Sequence, residues 1–393
     1  MPAETVSCPI ARVEAIVLRA PAVDAGDLDS SSETVIVRIT DEKERQGIGE
    51  ADAAASVVRE LVLMDDVHGW SRGLAAVLTR RDPFHIRSLH EELYASTIWH
   101  GRRGLGIHAL SAVDVALHDL AGKQASRPVV DLLGGPVRDS TNPYATIYQG
   151  AVRDRTVGQM MDATASLFER ALALGFKAVK MEVIWGDLVS DRALVECIRE
   201  GRRLLGDDVA LLVDFGYRWR DWRDALWTLS RLESANLFLA EATLLHDDLE
   251  GHRKLAGRVE TRIGGAEMAA TVHECREWLR TGEVDVLQPD IGRCGGLTEL
   301  RRIAELAELE GALVIPHGWK TGITAAAARH FQAATPNAPY FELLHPSLFD
   351  SPLRQELTRP EPELRDGTLP IPDAPGLGIE LDEDAVSRFR VDT

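Results

Sequence analysis

Cysteine is scarce in this chain: Cys8, Cys197, Cys275 and Cys294 stand far apart among 393 residues, none in C-x-x-C spacing. Such spacing excludes a disulfide framework or a zinc knuckle and predicts reduced thiols. No run of about 18 apolar residues occurs, so no membrane-spanning helix is expected. The start, MPAETVSCPIARVEAIVLRA, lacks the basic stretch and apolar core of a secretory signal, which makes the cytoplasm the expected compartment. Basic patches are missing too. Acidic residues outnumber basic ones 62 to 44, a formal charge of -18, which opposes binding to nucleic acid or to anionic membrane. Apolar residues, by contrast, make up 45% of the chain, enough for a large core and more readily two domains than one.

Two strand-like runs, VEAIVLRA and ETVIVRIT, flank PAVDAGDLDSSS, a Pro, Asp and Ser-rich stretch that reads as a long hairpin tip. From about residue 55 the pattern turns helical. It ends in HALSAVDVALHDLAGK, where Leu110, Val113, Leu117 and Leu120 recur at helical spacing. From Tyr144 the rhythm changes. Short apolar runs (YATIYQG, FKAVKMEV, ALLVDFG, LFLAEATL, TRIGGAE, VDVLQPD, ALVIPHG, PYFELL) alternate with amphipathic stripes such as Trp222, Leu226, Leu229, Leu232 and Leu300, Ile303, Leu306, Leu309, the latter stopped by Gly311. Eight strands alternating with helices predict a (β/α)₈ barrel of TIM type behind an α+β capping domain. The expected division is residues 1–135 for the cap, 136–360 for the barrel, and 361–393 for a tail returning to the cap.

Nearly every barrel run ends in an ionisable residue: Lys180 with Glu182, then Asp214, Glu241, Glu267, Asp290, His317 and Glu342. A barrel gathers its C-terminal strand ends around one mouth, so these groups converge there. Period-2 alternation sets Lys180 and Glu182 on one face of their strand. Asp214, Glu241 and Glu267 on adjacent strands would repel one another without a cation, and an all-oxygen set suits Mg²⁺ first and Mn²⁺ next rather than zinc. His317 follows LVIP at a strand end, with Asp290 ending the strand before. A carboxylate there would fix the imidazole tautomer and make a general base. The DFG at 214–216 has none of the companion motifs of a kinase, and the first barrel strand lacks the His-x-His of a metallohydrolase.

These motifs, with ALSAVDVALHDLAGKQASRPVVDLLGG, LQPDIGRCGGLTE, FELLHP and the PGLGIEL tail, resemble the mandelate racemase subgroup of the enolase superfamily over nearly the whole chain. The resemblance implies Mg²⁺ on Asp214, Glu241 and Glu267, and a His317–Asp290 base dyad. It also implies that Lys180 and a protonated Glu342 stabilise charge on a substrate carboxylate. Two features depart from the family pattern. EATL stands where E-x-P is common, and Glu182 replaces the second lysine of Lys-x-Lys. Lys180 beside Glu182 is expected to push its pKa down, which disfavours a second base and favours a one-base reaction. The expected activity is dehydration of a sugar acid (aldonate or aldarate) to a 2-keto-3-deoxy acid. A racemase, epimerase or cycloisomerase using Glu182 or Lys320 is the alternative, and a non-catalytic sugar-acid binder the third. Lys320, Trp319, Arg102 and Arg103 are further candidates for substrate contact, the two arginines in a capping-domain lid together with PAVDAGDLDSSS. The expected partners are a small carboxylate substrate and further copies of the chain in a homo-oligomer.

Overall fold

The hairpin forms as its alternation predicts. In the computed structural model, which describes residues 7–21 and 30–391, Ile10–Arg19 runs antiparallel to Glu33–Asp41 with Ile16 opposite Ile36. The expected lid in PAVDAGDLDSSS falls largely on residues 22–29, outside the described residues. A third strand, Gln46–Ala51, extends the sheet where the sequence suggested two. Glycine hides it from a propensity reading, and packing explains the glycines. A Cβ on Gly47 would lie 2.2 Å from the carbonyl oxygen of Ala116, and one on Gly49 2.0 Å from that of Ala112. The helix Leu105–Ala125 thus rests on bare strand backbone, with its predicted stripe of Leu110, Val113, Leu117 and Leu120 fully buried. Because backbone cannot yield as a side chain can, Gly49→Ala is expected to cost roughly 3 kcal/mol, read as a lowered urea midpoint.

Eight parallel strands follow: Pro143–Ile147, Ala178–Glu182, Ala210–Asp214, Leu237–Glu241, Arg262–Gly265, Val286–Leu287, Leu313–Val314 and Phe341–Leu343. The first seven pair in chain order and the eighth pairs with the first, giving the expected TIM-like barrel; no ladder joins the seventh to the eighth. Tyr144, Ala178, Leu212, Leu239, Val286 and Ile315 fill its interior as one apolar layer. Two residues further along the same strands, and so on the same face, stand Thr146, Lys180, Asp214, Glu241, Gln288 and His317. Strand period alone therefore lifts polar groups directly above an apolar floor.

Of the predicted helical stripes, Leu300 and Ile303 are buried in Gly296–Leu309, but Leu309 is 86% exposed. Ala304 and Ala307 hold the inner face at that end instead, and Gly311 follows with φ +75°. The helix from Trp222 ends at Leu229, so Leu232 is buried beyond it, outside the stripe.

Cap and barrel share polar contacts. Buried Glu50, on the third cap strand, accepts from the backbone N–H groups of Thr321 (3.1 Å) and Thr324 (2.9 Å) and from both hydroxyls, capping the barrel helix Gly322–Ala334. The C-terminal helix Glu383–Phe389 lies against the hairpin, through Arg38 to Glu383 at 2.6 Å and Val391 N–H to the Val17 carbonyl at 3.0 Å. No helix of the described residues is long and apolar enough to cross a membrane.

Candidate active site

Lys180 answers the placement of its own strand: it is fully buried, and its ammonium is ringed by acids. Nζ lies 2.8 Å from Glu342 Oε1, 3.1 Å from Glu241 Oε1, 3.6 Å from Glu182 Oε1 and 4.0 Å from Asp214 Oδ2. Burial alone would lower its pKa, but Glu241 and Glu342 raise it well above the usual lysine value, so it is a fixed cation.

Glu342 is held the other way. Its Oε1 also accepts from Thr146 Oγ1 at 2.5 Å and its Oε2 from Gly318 N–H at 2.9 Å. Against burial, Lys180 and then His317 bring its pKa down to about 2. Each of its hydrogen bonds comes from a donor, an arrangement that favours the ionised carboxyl over the protonated Glu342 expected from the sequence.

Glu182 also departs from expectation. Burial, reinforced by Asp214 beside it on the next strand, outweighs Lys180 and raises its pKa well above the usual value. Among the described residues no donor group hydrogen-bonds either of its oxygens. The raised pKa favours the protonated form, whose O–H has Asp214 as its nearest acceptor on the neighbouring strand.

His317 and Asp290 meet as predicted, Nδ1 to Oδ2 at 2.5 Å, while Gly292 N–H holds Asp290 Oδ1 at 2.6 Å. The other ring nitrogen, Nε2, lies 3.5 Å from Glu267 Oε2. Burial would lower the imidazole pKa, but Glu267, Glu342 and Asp290 together raise it to about 9.

Above this floor opens a cavity of about 810 Å³, lined by Glu182, Asp214, Glu267, His317 and Trp319 among others. Trp319 packs edge-on against Tyr148 and Phe349. Lys180, Glu241, Asp290 and Glu342 lie beneath or behind that lining. A second cavity, about 730 Å³, adjoins it at Met268 and Arg293 and reaches the cap at Asp52 and His108. Lys320 lines this cap-side chamber, 3.0 Å from Asp52 Oδ1, and stands away from Glu182. Arg102 and Arg103 line neither cavity. Arg102 stacks over the Tyr94 ring instead, so the expected arginine lid is corrected.

Several residues escaped the sequence reading. Tyr217 donates its hydroxyl to Glu267 Oε1, and Arg293 pairs with Asp52 of the cap. Tyr217 follows DFG on the third strand's loop and Arg293 stands three residues past Asp290, so proximity to predicted residues was their one local signal. Asp52 and His108 carry none.

Residues 10–134 match the family described as mandelate racemase/muconate lactonizing enzyme, N-terminal domain, and residues 163–385 match the enolase C-terminal domain-like family. The chain belongs to the mandelate racemase/muconate lactonizing enzyme family. Among its relatives in this family, a D-galactarolactone cycloisomerase of Agrobacterium fabrum is 32% identical, over 86% of this chain and 92% of that protein. An L-rhamnonate dehydratase of Saccharopolyspora erythraea is 32% identical, over 77% and 74%. Of solved structures, a protein provisionally called a racemase has a TM-score of 0.92 at 42% identity, covering 99% of this chain and 100% of that one. A racemase of Streptomyces coelicolor A3(2) with bound magnesium has a TM-score of 0.82 at 26% identity, covering 97% and 100%.

Two places are open to a divalent ion. Asp52, Asp290 and His317 bring ligand atoms within 4.8 Å of one another, a spacing that could hold one. Their charge is already answered, however: Asp52 by Arg293 and Lys320, and Asp290 by His317. The carboxylates of Asp214, Glu241 and Glu267 do not close to that spacing in this structure, but they make a second, all-oxygen set at the barrel mouth. With Glu182 and Glu342 beside them, they have Lys180 as the one lysine at hand. Glu241 Oε2 is buried without a hydrogen bond, and burial with Asp214, Glu342 and Glu267 raises that residue's pKa to about 8 despite Lys180. An all-oxygen cluster short of positive charge suits a hard cation.

Proposed function

We propose that this family member removes the proton α to the carboxylate of a sugar acid, an aldonate or aldarate, and expels water to leave a 2-keto-3-deoxy acid. The observation that carries the reading is that a carboxylate-held imidazole, His317, and a buried carboxyl whose pKa is raised, Glu182, line one cavity. Mg²⁺ held by Asp214, Glu241 and Glu267 would, when bound, stabilise the negative charge that develops on the substrate carboxylate.

His317 acts in its neutral form, which the acids around it confine to pH above about 9 while no cation answers their charge; its Nε2 then takes the α-proton while Asp290 holds Nδ1 and steadies the resulting imidazolium. The C–H electron pair becomes the C=C bond of an enediolate. The bond from the β-carbon to its hydroxyl then breaks, the oxygen takes the Glu182 proton, and water leaves. The enol left behind tautomerises to the 2-keto acid. Lys180 positions Glu241 and Glu342 by charge from beneath, and Trp319 walls the cavity.

A second reading, cycloisomerisation or racemisation, is favoured by the same Glu182, because a protonated carboxyl lining the same cavity as His317 can also deliver its proton to carbon. Turnover in D₂O with a panel of aldonic and aldaric acids tests the choice. Dehydration predicts keto acid with one water lost per turnover and no inversion of recovered substrate. Glu182→Gln is then expected to cut keto-acid formation about 10²-fold or more while His317-dependent α-proton exchange survives. Deuterium incorporation with inverted or ring-opened product, and no keto acid, would overturn dehydration in favour of the isomerase.

A further inference from the structure

Tyr217 has no part in the chemistry above, yet its loop touches the segments that bear all three acids of the all-oxygen set. Asp214 opens that loop and has its Oδ1 held by the Gly216 N–H at 2.8 Å. Glu241 ends the next strand, where the Phe215 N–H donates to the Glu241 carbonyl at 3.1 Å and the Tyr217 N–H to the Ala242 carbonyl at 2.5 Å. Glu267, just past the strand after that, accepts the Tyr217 hydroxyl on Oε1. Each acid therefore has one oxygen held by a donor: Asp214 by Gly216, Glu241 by Lys180 at 3.1 Å, and Glu267 by Tyr217. Tyr217 does for the third acid what Lys180 does for the second.

The backbone bends to allow it. Tyr217 sits at φ +57°, in the left-handed region that bulky side chains rarely enter, and follows Gly216 at the same angle. Ala242, next after Glu241, and Ala266, next before Glu267, are left-handed as well, at +48° and +81°. Residues other than glycine persist there only where their surroundings over-determine them, and they cluster where a site's geometry matters. Tyr217 also lines the main cavity together with Asp214 and Glu267.

We infer that Tyr217 is a positioning residue for a divalent cation: its hydroxyl fixes Glu267 by one oxygen so that the other is presented to the ion together with Asp214 and Glu241. The inference rests on these three carboxylates being the ion's site. The oxygen left over, Oε2, lies 3.5 Å from His317 Nε2, so the same hydroxyl sets how Glu267 faces the base.

Calorimetric titration of the full chain with Mg²⁺, without substrate, tests the role. Tyr217→Phe keeps the ring, the left-handed backbone and the N–H donated to Ala242, and removes the hydroxyl alone. It is expected to bind Mg²⁺ about 10–100-fold more weakly, the loss typical when a group that orients a metal ligand is removed, with far-ultraviolet dichroism unchanged. Turnover lost at low Mg²⁺ should return at high Mg²⁺, which the loss of a mere cavity wall would not allow. Glu241→Gln, titrated in parallel, separates two failures. Binding weakened in Glu241→Gln but unchanged or tighter in Tyr217→Phe would overturn the role of Tyr217 and leave the carboxylate site standing. Binding unchanged in both would overturn that site, and the role of Tyr217 with it.

Discussion

His317→Asn is expected to lose α-proton exchange and turnover together, by about 10⁴-fold, the upper end for one acid–base group because the residue also holds the cavity's one carboxylate-backed imidazole. The amide keeps the side chain's hydrogen bonding toward Asp290 but cannot take a proton. Exchange of the substrate α-proton into D₂O, followed by NMR, separates this from mere loss of binding. The control is Asp290→Asn, which leaves the ring in place but removes the acceptor that fixes Nδ1 at 2.5 Å; it is expected to lose about 10²–10⁴-fold. Undiminished exchange in the His317 variant would place the base elsewhere, with Glu182 the first alternative.

Removal of the metal is expected to have an effect as large. A chelator should abolish turnover and added Mg²⁺ should restore it. Glu241→Gln should weaken Mg²⁺ binding, measured by calorimetry without substrate, by about 100-fold or more, since even groups that only orient a ligand cost 10–100-fold. The substitution also tests the alternative trio. If Asp52, Asp290 and His317 held the ion, Glu241→Gln would leave its affinity unchanged and Asp52→Asn would lower it. The fold should tolerate Glu241→Gln, because Lys180 keeps Glu342 at 2.8 Å and the amide relieves a crowded set of acids. Full activity with no bound metal would end the cation reading altogether.

How much of this was legible in the sequence follows from which forces act locally. Strand alternation is local, so the register that sets Lys180 and Glu182 on one face, above the apolar layer at Ala178 and Leu212, was readable residue by residue. The barrel then carries those side chains to one mouth without further information. Glycine-rich QGIGEA was missed as a strand because its stability comes from the helix at Ala112 and Ala116, far along the chain. The direction of the pKa shifts escaped the sequence for a similar reason. The sequence shows Lys180 two residues from Glu182, but the stronger influences, burial and the cross-strand Asp214, appear once the strands pair. Glu342 erred in the opposite direction because Thr146 and Gly318 come from other strands and loops. Arg102 and Arg103 were read as a candidate lid from their place in the capping domain, but Arg102 lies over Tyr94 and neither residue lines a cavity at the mouth.

The Glu50 contact bears on how the molecule can be re-engineered. A single cap carboxylate supplies the N-terminal cap of the barrel helix Gly322–Ala334, satisfying two backbone donors and two hydroxyls there. A chimera that grafts a foreign cap onto this barrel would strip those groups bare beside Lys320, unless the donor brings an acid to the same spot. Cap exchange among relatives is therefore a problem of matching one carboxylate before it is a problem of matching loops. Conversely, the Thr321–Thr324 turn is the first place to compensate when such a graft fails to fold.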